Sequence, residues 1–325
     1  MLPFMAHGHL IPFLALARQI HQATGFKISI ASTPLNIQYL SSTFNSSSPM
    51  NQKMTISTSL SYLFCSTDNG LPPNTENSEN LSLDSIGKLL SASLSLRKPF
   101  HSLVSDIAAK QGGAYGTLAY SSLWLNLPHR GRSDSDEFHL PGFPDSCRFH
   151  INQLHHFLRN ADGTVSWSKF FQPQISLSMQ SFGWLCNTAE EFEPAGLEWL
   201  RNFVKLPVCA IGPLVPPIVL KNDYSSLSVA ASGISTRRAE EMGVSVELTR
   251  GVQSSIDWKE VKKVIELVMD MKGKGGDMRS KAMVIKEQLR ASVRDEGEDK
   301  GSSVKALDDL IKTLQSKWEM INSIS

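Results

Sequence analysis

Short apolar segments alternate with segments of helical periodicity, and this alternation constrains the fold more than any other feature. Two apolar runs, Gly183–Asn187 and Pro207–Ile211, flank a helical pattern over Glu190–Phe203. Near the N-terminus a helical pattern over Leu10–Ile20 is followed by the apolar run Phe26–Ile30. Strand–helix–strand order with short apolar strands is typical of a parallel sheet covered by helices. The sequence therefore predicts an α/β fold.

The first helical pattern follows the tripeptide His7-Gly8-His9, which itself follows a short apolar run over residues 2–6. We predict a strand over 2–6, a tight turn at the tripeptide and a helix after it. A histidine in such a turn could act as a general base at the mouth of a parallel sheet. A histidine in a turn can equally be solvated without a role, and the residues alone leave both interpretations open.

Composition excludes several classes of function. The chain is 41% hydrophobic and 19% charged with a net charge of +1, so nothing indicates a nucleic acid or an anionic membrane as partner. No run approaches the ~18 apolar residues of a membrane span. The N-terminus lacks the basic segment of a signal peptide. The cysteines are far apart and form no CxxC pair, which favours reduced thiols and a cytoplasmic protein: Cys65, Cys147, Cys186 and Cys209.

The pattern changes in the middle of the chain. A helical pattern over Leu81–Ala109 runs through Gly112-Gly113 directly into a second one over Ala114–Leu127. A parallel sheet would be expected to receive a strand between two such helices, and the sequence predicts none there. We interpret the join as a place where central strands are missing.

The double proline Pro216-Pro217 is the best domain boundary. It divides the chain into a Rossmann-like domain over 1–217, a polar junction over 218–238 and a remnant of a second domain over 239–325. The remnant is predicted to hold one short strand, Val244–Leu248, and three helices, the first of which is capped by Asp257.

Three segments carry a family resemblance: PFMAHGHLIPFLALARQI, SFGWLCNTAEEFEPAGLEWL with PVCAIGPLVPP, and EEMGVSVELTRG. They resemble plant UDP-dependent glycosyltransferases of family 1, which have the GT-B fold. The resemblance implies two Rossmann-like domains, with the acceptor held mainly by the N-terminal one and the UDP-sugar mainly by the C-terminal one. It implies sugar transfer, of glucose in the first instance, to a hydroxyl of a small lipophilic plant metabolite. We expect a monomer that does not insert into membranes.

The resemblance also assigns residues. The family inverts the anomeric carbon with no metal and no cofactor, the UDP-sugar being a co-substrate. Its catalytic base falls on His9, which an aspartate from a later strand end orients. Thr33, Pro34 and Asn36 follow the second predicted strand, where family members line the acceptor pocket. A neutral imidazole at a helix N-terminus suits a base, and a carboxylate on its far nitrogen would stabilise the imidazolium that forms.

Two parts of the family pattern are missing. The segment of the partner aspartate would lie near Gly112-Gly113, and the nearest carboxylate, Asp106, falls within a helical pattern. The donor signature, which runs from a WAPQ-like start through an HCGWNS-like stretch, is absent, so no donor-binding residue can be assigned. Two alternatives to an active transferase therefore stay open. One is an inactive truncated homologue that binds at most an apolar small molecule or a partner, and the other is the product of a defective or mis-joined gene.

Overall fold

The structure is a computed structural model, and it describes residues 1, 3–26, 28, 30–45, 64–79, 81–94, 108–110, 113–133, 136–154, 156–214, 242–246, 257–295 and 299–324. The chain forms two compact units. The first is Met1–Ile107 with Leu214–Lys221 and Leu307–Ser325, and the second is Ala108–Pro213 with Asn222–Ala306. The division at 217 and 238 stays a prediction, because the whole junction over 218–238 lies outside the described residues.

The described part of the first unit contains three helices before residue 107: α1 (His7–Thr24), α2 (Pro34–Asn45) and α3 (Leu83–Ser93). Helix α1 ends at Gly25, whose φ of 69° lets its N–H donate back to the carbonyl of His21. The apolar stripe of α1 packs against α2 and the segment between them, and the buried members of this cluster are Leu10, Leu14, Ala17, Ile30, Ile37 and Leu40.

The strands predicted at the N-terminus are wrong in the described residues. Residues 3–6 form no strand, and helix α1 already begins at His7, so His7-Gly8-His9 is its first turn and not a turn before it. Residues 26, 28 and 30 lie outside any strand, and Ser32 makes only a single bridge. A strand needs a neighbour to take up its backbone groups. Among the described residues, a backbone hydrogen bond joins these two segments, in which the Ala31 N–H donates to the carbonyl of Met1.

The second unit contains most of the sheet. Its elements, in chain order, are β1 (Ala108–Lys110), α4 (Ala114–Asn126), β2 (Glu137–Phe138), β3 (Phe149–His150), α5 (His156–Arg159), α6 (Ser166–Ser178), β4 (Trp184–Cys186), α7 (Pro194–Val204), β5 (Val208–Ala210), α8 (Trp258–Met269), α9 (Lys274–Ser292) and α10 (Ser302–Ile324), of which α10 continues into the first unit.

A parallel three-stranded sheet with the order β1-β4-β5 confirms the predicted α/β class. Leu185 of the central strand aligns with Ala109 on one side and Cys209 on the other. The expectation that no strand precedes Gly112-Gly113 is wrong, because Ala108–Lys110 pairs with β4. Two alanines and a lysine carry no strong strand propensity, so pairing with a neighbouring edge, not local sequence, makes this strand.

The sheet and helices α4 and α7 enclose the main core. Trp184, Leu197 and Leu200 are fully buried there. The Trp184 indole N–H donates to the carbonyl of Ser178 at 2.9 Å, so its one polar group is satisfied. All four cysteines are free thiols in this structure.

The C-terminal helices form where they are predicted. Asp257 caps α8 by accepting from the N–H of Lys259 at 3.1 Å. The predicted strand Val244–Leu248 is not formed over residues 244–246, and the rest of it lies outside the described residues. Ser303, near the start of α10, donates to the carbonyl of Gly212 in the second unit.

Candidate acceptor-side site at the start of helix α1

His7 is the most constrained side chain at the predicted site. Its Nδ1 lies 3.3 Å from Oε2 of Glu79, and its Nε2 lies 3.4 Å from the amide nitrogen of Asn77. Its ring stacks on that of Tyr39 in α2, with centroids 3.8 Å apart and planes 11° apart. The side chain remains about 25% exposed. The imidazole is therefore fixed at both nitrogens and on one face.

The segment 76–79 that brings these partners is itself held to the unit. Ser78 N–H donates to the carbonyl of Met5, just before α1. Glu76 accepts from the N–H of Leu35 at 2.7 Å through its carboxylate, which places a negative charge at the N-terminus of α2. Its carbonyl accepts from the Asn36 amide at 2.7 Å. The segment thus joins the starts of two helices.

His9 lies in the same helical turn but in different surroundings. It is partly buried, and its ring makes a T-shaped contact with that of Phe4, with centroids 5.4 Å apart and planes 76° apart. Burial lowers the pKa of His9 below its ordinary value of 6.5. The imidazole is therefore neutral at physiological pH, as a general base must be. The predicted role of His9 stays a prediction.

The three residues assigned to the acceptor pocket lie at the start of α2. Thr33 and Asn36 are fully buried, and the Asn36 amide donates to the Thr33 hydroxyl at 2.8 Å. Pro34 begins the helix and is exposed. In this structure Asn36 joins the start of α2 to Glu76, and an acceptor-binding role for all three residues stays a prediction. Asp106, the weak candidate for a carboxylate partner, lies outside the described residues.

Sequence reasoning missed Asn77 and Glu79, and it gave His7 no role of its own. Both partners lie in the polar stretch Asn74–Asn80, which has no periodicity. A carboxylate and an amide in a polar segment are the signal that the sequence offers there. A contact across 70 residues of chain cannot be read from local pattern.

Nothing in the described part of the chain resembles a metal centre, since no three His, Cys, Asp or Glu side chains come together there. His150, one of the residues near Cys147 that could suggest a metal, instead lies 3.2 Å from Glu137. Among the described helices, none combines the length and apolar character that crossing a membrane requires.

Solved structures define the class of the fold. The chain resembles UGT73P12 of Glycyrrhiza uralensis with a TM-score of 0.67 and 14% identity, covering 99% of this chain and 96% of that one. It resembles UGT2 of Phytolacca americana with a TM-score of 0.66 and 13% identity, covering 96% and 98%. The class is therefore that of α/β proteins with the GT-B fold.

The curated relatives are plant UDP-glycosyltransferases, although no family model matches the chain. It is 39% identical over 249 residues to crocetin glucosyltransferase 3 of Crocus sativus, covering 66% of this chain and 51% of the relative. It is 33% identical over 253 residues to UDP-glycosyltransferase 92A1 of Arabidopsis thaliana, covering 66% and 50%. The chain is a relative of the plant UDP-glycosyltransferases, as predicted, and it spans about half the length of these curated relatives.

Proposed function

We propose that this chain is the acceptor-binding portion of a plant UDP-glycosyltransferase. The reaction of the complete enzyme is then transfer of a sugar, with glucose as the first candidate, from a UDP-sugar to a hydroxyl of a small lipophilic metabolite. The observation that carries the proposal is the relationship to glycosyltransferases over 66% of the chain.

The chemistry requires a base and a donor site. A hydroxyl is a poor nucleophile until a base removes its proton, and a neutral histidine near solvent can do this. The family resemblance assigns that role to His9, and it places Thr33, Pro34 and Asn36 beside the acceptor. Inversion at the anomeric carbon then needs no metal and no cofactor beyond the UDP-sugar.

The donor side is where this chain departs from the complete enzyme. The sequence carries neither the WAPQ-like nor the HCGWNS-like segment. Charge that develops on the leaving UDP needs positioned donors in the second domain. We therefore propose that the chain binds an acceptor but does not complete sugar transfer by itself, as a cytoplasmic monomer of plant secondary metabolism.

Calorimetry with the purified chain tests this proposal. We expect binding of a small phenol such as 4-nitrophenol, no binding of UDP, and no glucoside after incubation with UDP-glucose. Micromolar affinity for UDP, or a glucoside that disappears in His9→Ala, would mean that a donor site exists and that the chain is an active transferase.

Sequencing the full-length transcript tests the competing view of a mis-joined gene. We expect a transcript that reads continuously through Gly112-Gly113 and residues 218–238. Extra coding sequence at both places would assign the gaps to the gene structure and the function to the longer product.

A further inference from the structure

We infer that helix α8 binds the surface of a membrane that contains anionic phospholipids, and that it lies there in the plane of the headgroups. This helix belongs to the second unit, whereas the candidate acceptor-side site belongs to the first. The inference is therefore independent of the proposed acceptor-binding function.

An exposed line of large apolar side chains runs along α8. Trp258, Ile265 and Met269 are 66%, 56% and 65% exposed, and Met271, two residues beyond the helix, is 71% exposed. At about 100° per residue, the three helical side chains fall within about 40° of one another around the helix axis. At 1.5 Å per residue the line is about 17 Å long.

Packing within the unit does not cover this line. Helix α8 packs against α9, yet none of its described side chains is fully buried. Its half-buried valines lie about 60 to 120° around the axis from Trp258, and they are Val261, Val264 and Val268. The contact with α9 therefore leaves the line from Trp258 to Met269 in contact with solvent.

Lysines flank the exposed line. Lys262 lies about 40° around the axis from Trp258, and its Nζ is 6.0 Å from the centroid of the Trp258 ring. Lys259 and Lys263 follow at about 100° and 140°. Residues 258–292, which include α8 and α9, contain nine Lys or Arg and five Asp or Glu, a net charge of +4, whereas the whole chain carries +1. The whole-chain value therefore hides a local concentration of positive charge.

This combination favours a lipid surface over a protein partner. Helices that lie in a membrane interface carry Trp and aliphatic side chains on one face and lysines beside them. Tryptophan prefers the headgroup region, because its ring is apolar while its N–H stays hydrated. Lysine, in contrast, is depleted in protein–protein interfaces. The lysine stems can lie along the apolar line and place their ammonium groups at the lipid phosphates.

The helix lies on the membrane and does not cross it. It has 12 residues, fewer than the about 20 that a spanning helix needs. Two acidic side chains of α8 offset part of its positive charge, since Glu266 lies 3.7 Å from Lys262 and Glu260 follows Lys259. Binding therefore requires both burial of the apolar line and attraction of the lysines.

Sedimentation with lipid vesicles tests the inference. We expect the intact chain to bind vesicles of equal parts of phosphatidylcholine and phosphatidylserine. Binding to phosphatidylcholine alone should be at least about tenfold weaker, because each lysine near an anionic surface contributes roughly a factor of five. Raising the salt from about 0.1 to about 1 M should also weaken binding, since the Debye length falls from about 10 to about 3 Å.

Variants of α8 test the two contributions separately. Ile265→Glu places a charge in the middle of the line and should weaken vesicle binding at least about tenfold, the loss that corresponds to no longer burying an isoleucine. The double change Lys259→Gln and Lys263→Gln should weaken it about 25-fold. Phe182→Glu is the matched control, because Phe182 is also 56% exposed but lies before β4, and it should bind as the intact chain does.

A fluorescence measurement locates the helix in the lipid. Brominated phospholipids quench only those tryptophans that reach the acyl chains, so part of the emission of the intact chain should be lost on vesicles. Trp258→Phe keeps an aromatic ring and should retain most of the binding, but this loss of emission should disappear. Quenching that is unchanged in Trp258→Phe would show that another part of the chain contacts the lipid and would overturn the inference.

Two further outcomes would overturn it. One is failure of the intact chain to sediment with the anionic vesicles. The other is a dimer in light scattering that Ile265→Glu dissociates, which would assign the exposed line to a second copy of the chain. Circular dichroism confirms that each variant is folded. Failure to bind 4-nitrophenol would contradict the proposed function alone and would leave the membrane contact in place.

Discussion

Helices α7 and α8 have similar sequence patterns, but only α7 buries its apolar face. Both carry an apolar stripe at helical spacing, yet α7 packs on α4 and β5 and buries Leu197, Leu200 and Val204. Helix α8 packs against α9, and none of its described side chains is buried. Two tryptophans show the same contrast, since Trp184 is fully buried while Trp258 at the start of α8 is 66% exposed.

An amphipathic pattern is therefore enough to form a helix, but it does not by itself bury the apolar face of that helix. Burial of an apolar side chain contributes about 25 cal/mol per Å², and it does so only where another surface removes the water. Helix α4 and strand β5 do this for α7. Helix α8 depends on local interactions, namely its Asp257 cap and the Lys262–Glu266 pair at 3.7 Å.

The largest expected effect comes from replacing each of the two tryptophans separately with alanine. Trp184→Ala removes a fully buried ring and its hydrogen bond to Ser178, so we expect a loss of about 3–5 kcal/mol in the free energy of unfolding. Trp258→Ala should change it by no more than about 0.5 kcal/mol. Urea unfolding followed by circular dichroism measures both. Equal losses would mean that α8 is buried in solution.

The next largest expected effect on stability comes from removing a buried carboxylate, compared with removing an exposed one. Glu193 is 4% exposed and accepts from the N–H of Ala114 and the hydroxyl of Thr188 at 2.9 and 2.7 Å. Glu193→Ala leaves those two donors without their carboxylate acceptor, and we expect a loss of about 1–3 kcal/mol in the free energy of unfolding. The matched change on α8, Glu266→Ala, should cost at most about 0.5 kcal/mol. An unfolding midpoint of Glu193→Ala equal to that of the parent would contradict the structure.

Gly113 provides a second test of the buried Glu193 carboxylate, because a Cβ atom at position 113 would collide with it. Gly113→Ala should therefore destabilise the chain, while Gly116→Ala in the open part of α4 should not. The comparison uses the same urea midpoints. A neutral Gly113→Ala would show that the carboxylate can move aside at no cost.

A smaller effect is expected from the cap of α8. Asp257→Ala removes the side-chain acceptor for Lys259 N–H and should weaken the helix by about 1 kcal/mol. Hydrogen exchange of the amides at 258–269 should accelerate accordingly, while those of α7 stay unchanged. Asp257→Ser keeps a capping oxygen and should restore most of the protection.

The smallest expected effect on stability comes from a change of pH. Burial lowers the pKa of His129, in the loop after α4, below 6.5. Below about pH 6.5 the unfolded chain takes up a proton that the folded unit resists, so stability falls as the pH falls towards the folded-state pKa. His129→Gln should flatten this dependence of the urea midpoint. Local opening of α8 should lack it, because the chain has no histidine beyond His156.

Much of the fold could be predicted from local pattern. Periodicity located α1, α4, α7 and the C-terminal helices, and apolar runs between turn residues located β4 and β5. Strand β1 could not be predicted, since Ala108–Lys110 has no local strand signal and forms by pairing with β4. The strand predicted over 2–6 fails for the converse reason, because an apolar run is a strand only where a neighbour pairs with it.

The location of the candidate site stays a prediction, and its contacts could not be predicted from the sequence. The tripeptide His7-Gly8-His9 indicates a site at the start of α1, and the family resemblance selects His9 within it. The structure gives His7 the partners Glu79, Asn77 and Tyr39, which come from a loop and a second helix. No local rule connects residues 70 positions apart.

By itself, then, the sequence determined helix positions, caps such as Asp257, and the relationship to glycosyltransferases, because these depend on neighbours along the chain. Tertiary structure alone decided which amphipathic faces are buried, that Ala108–Lys110 is a strand, and that a carboxylate meets His7. Those outcomes depend on which distant surfaces exclude water and pair polar groups, and such partners are set by the path of the folded chain.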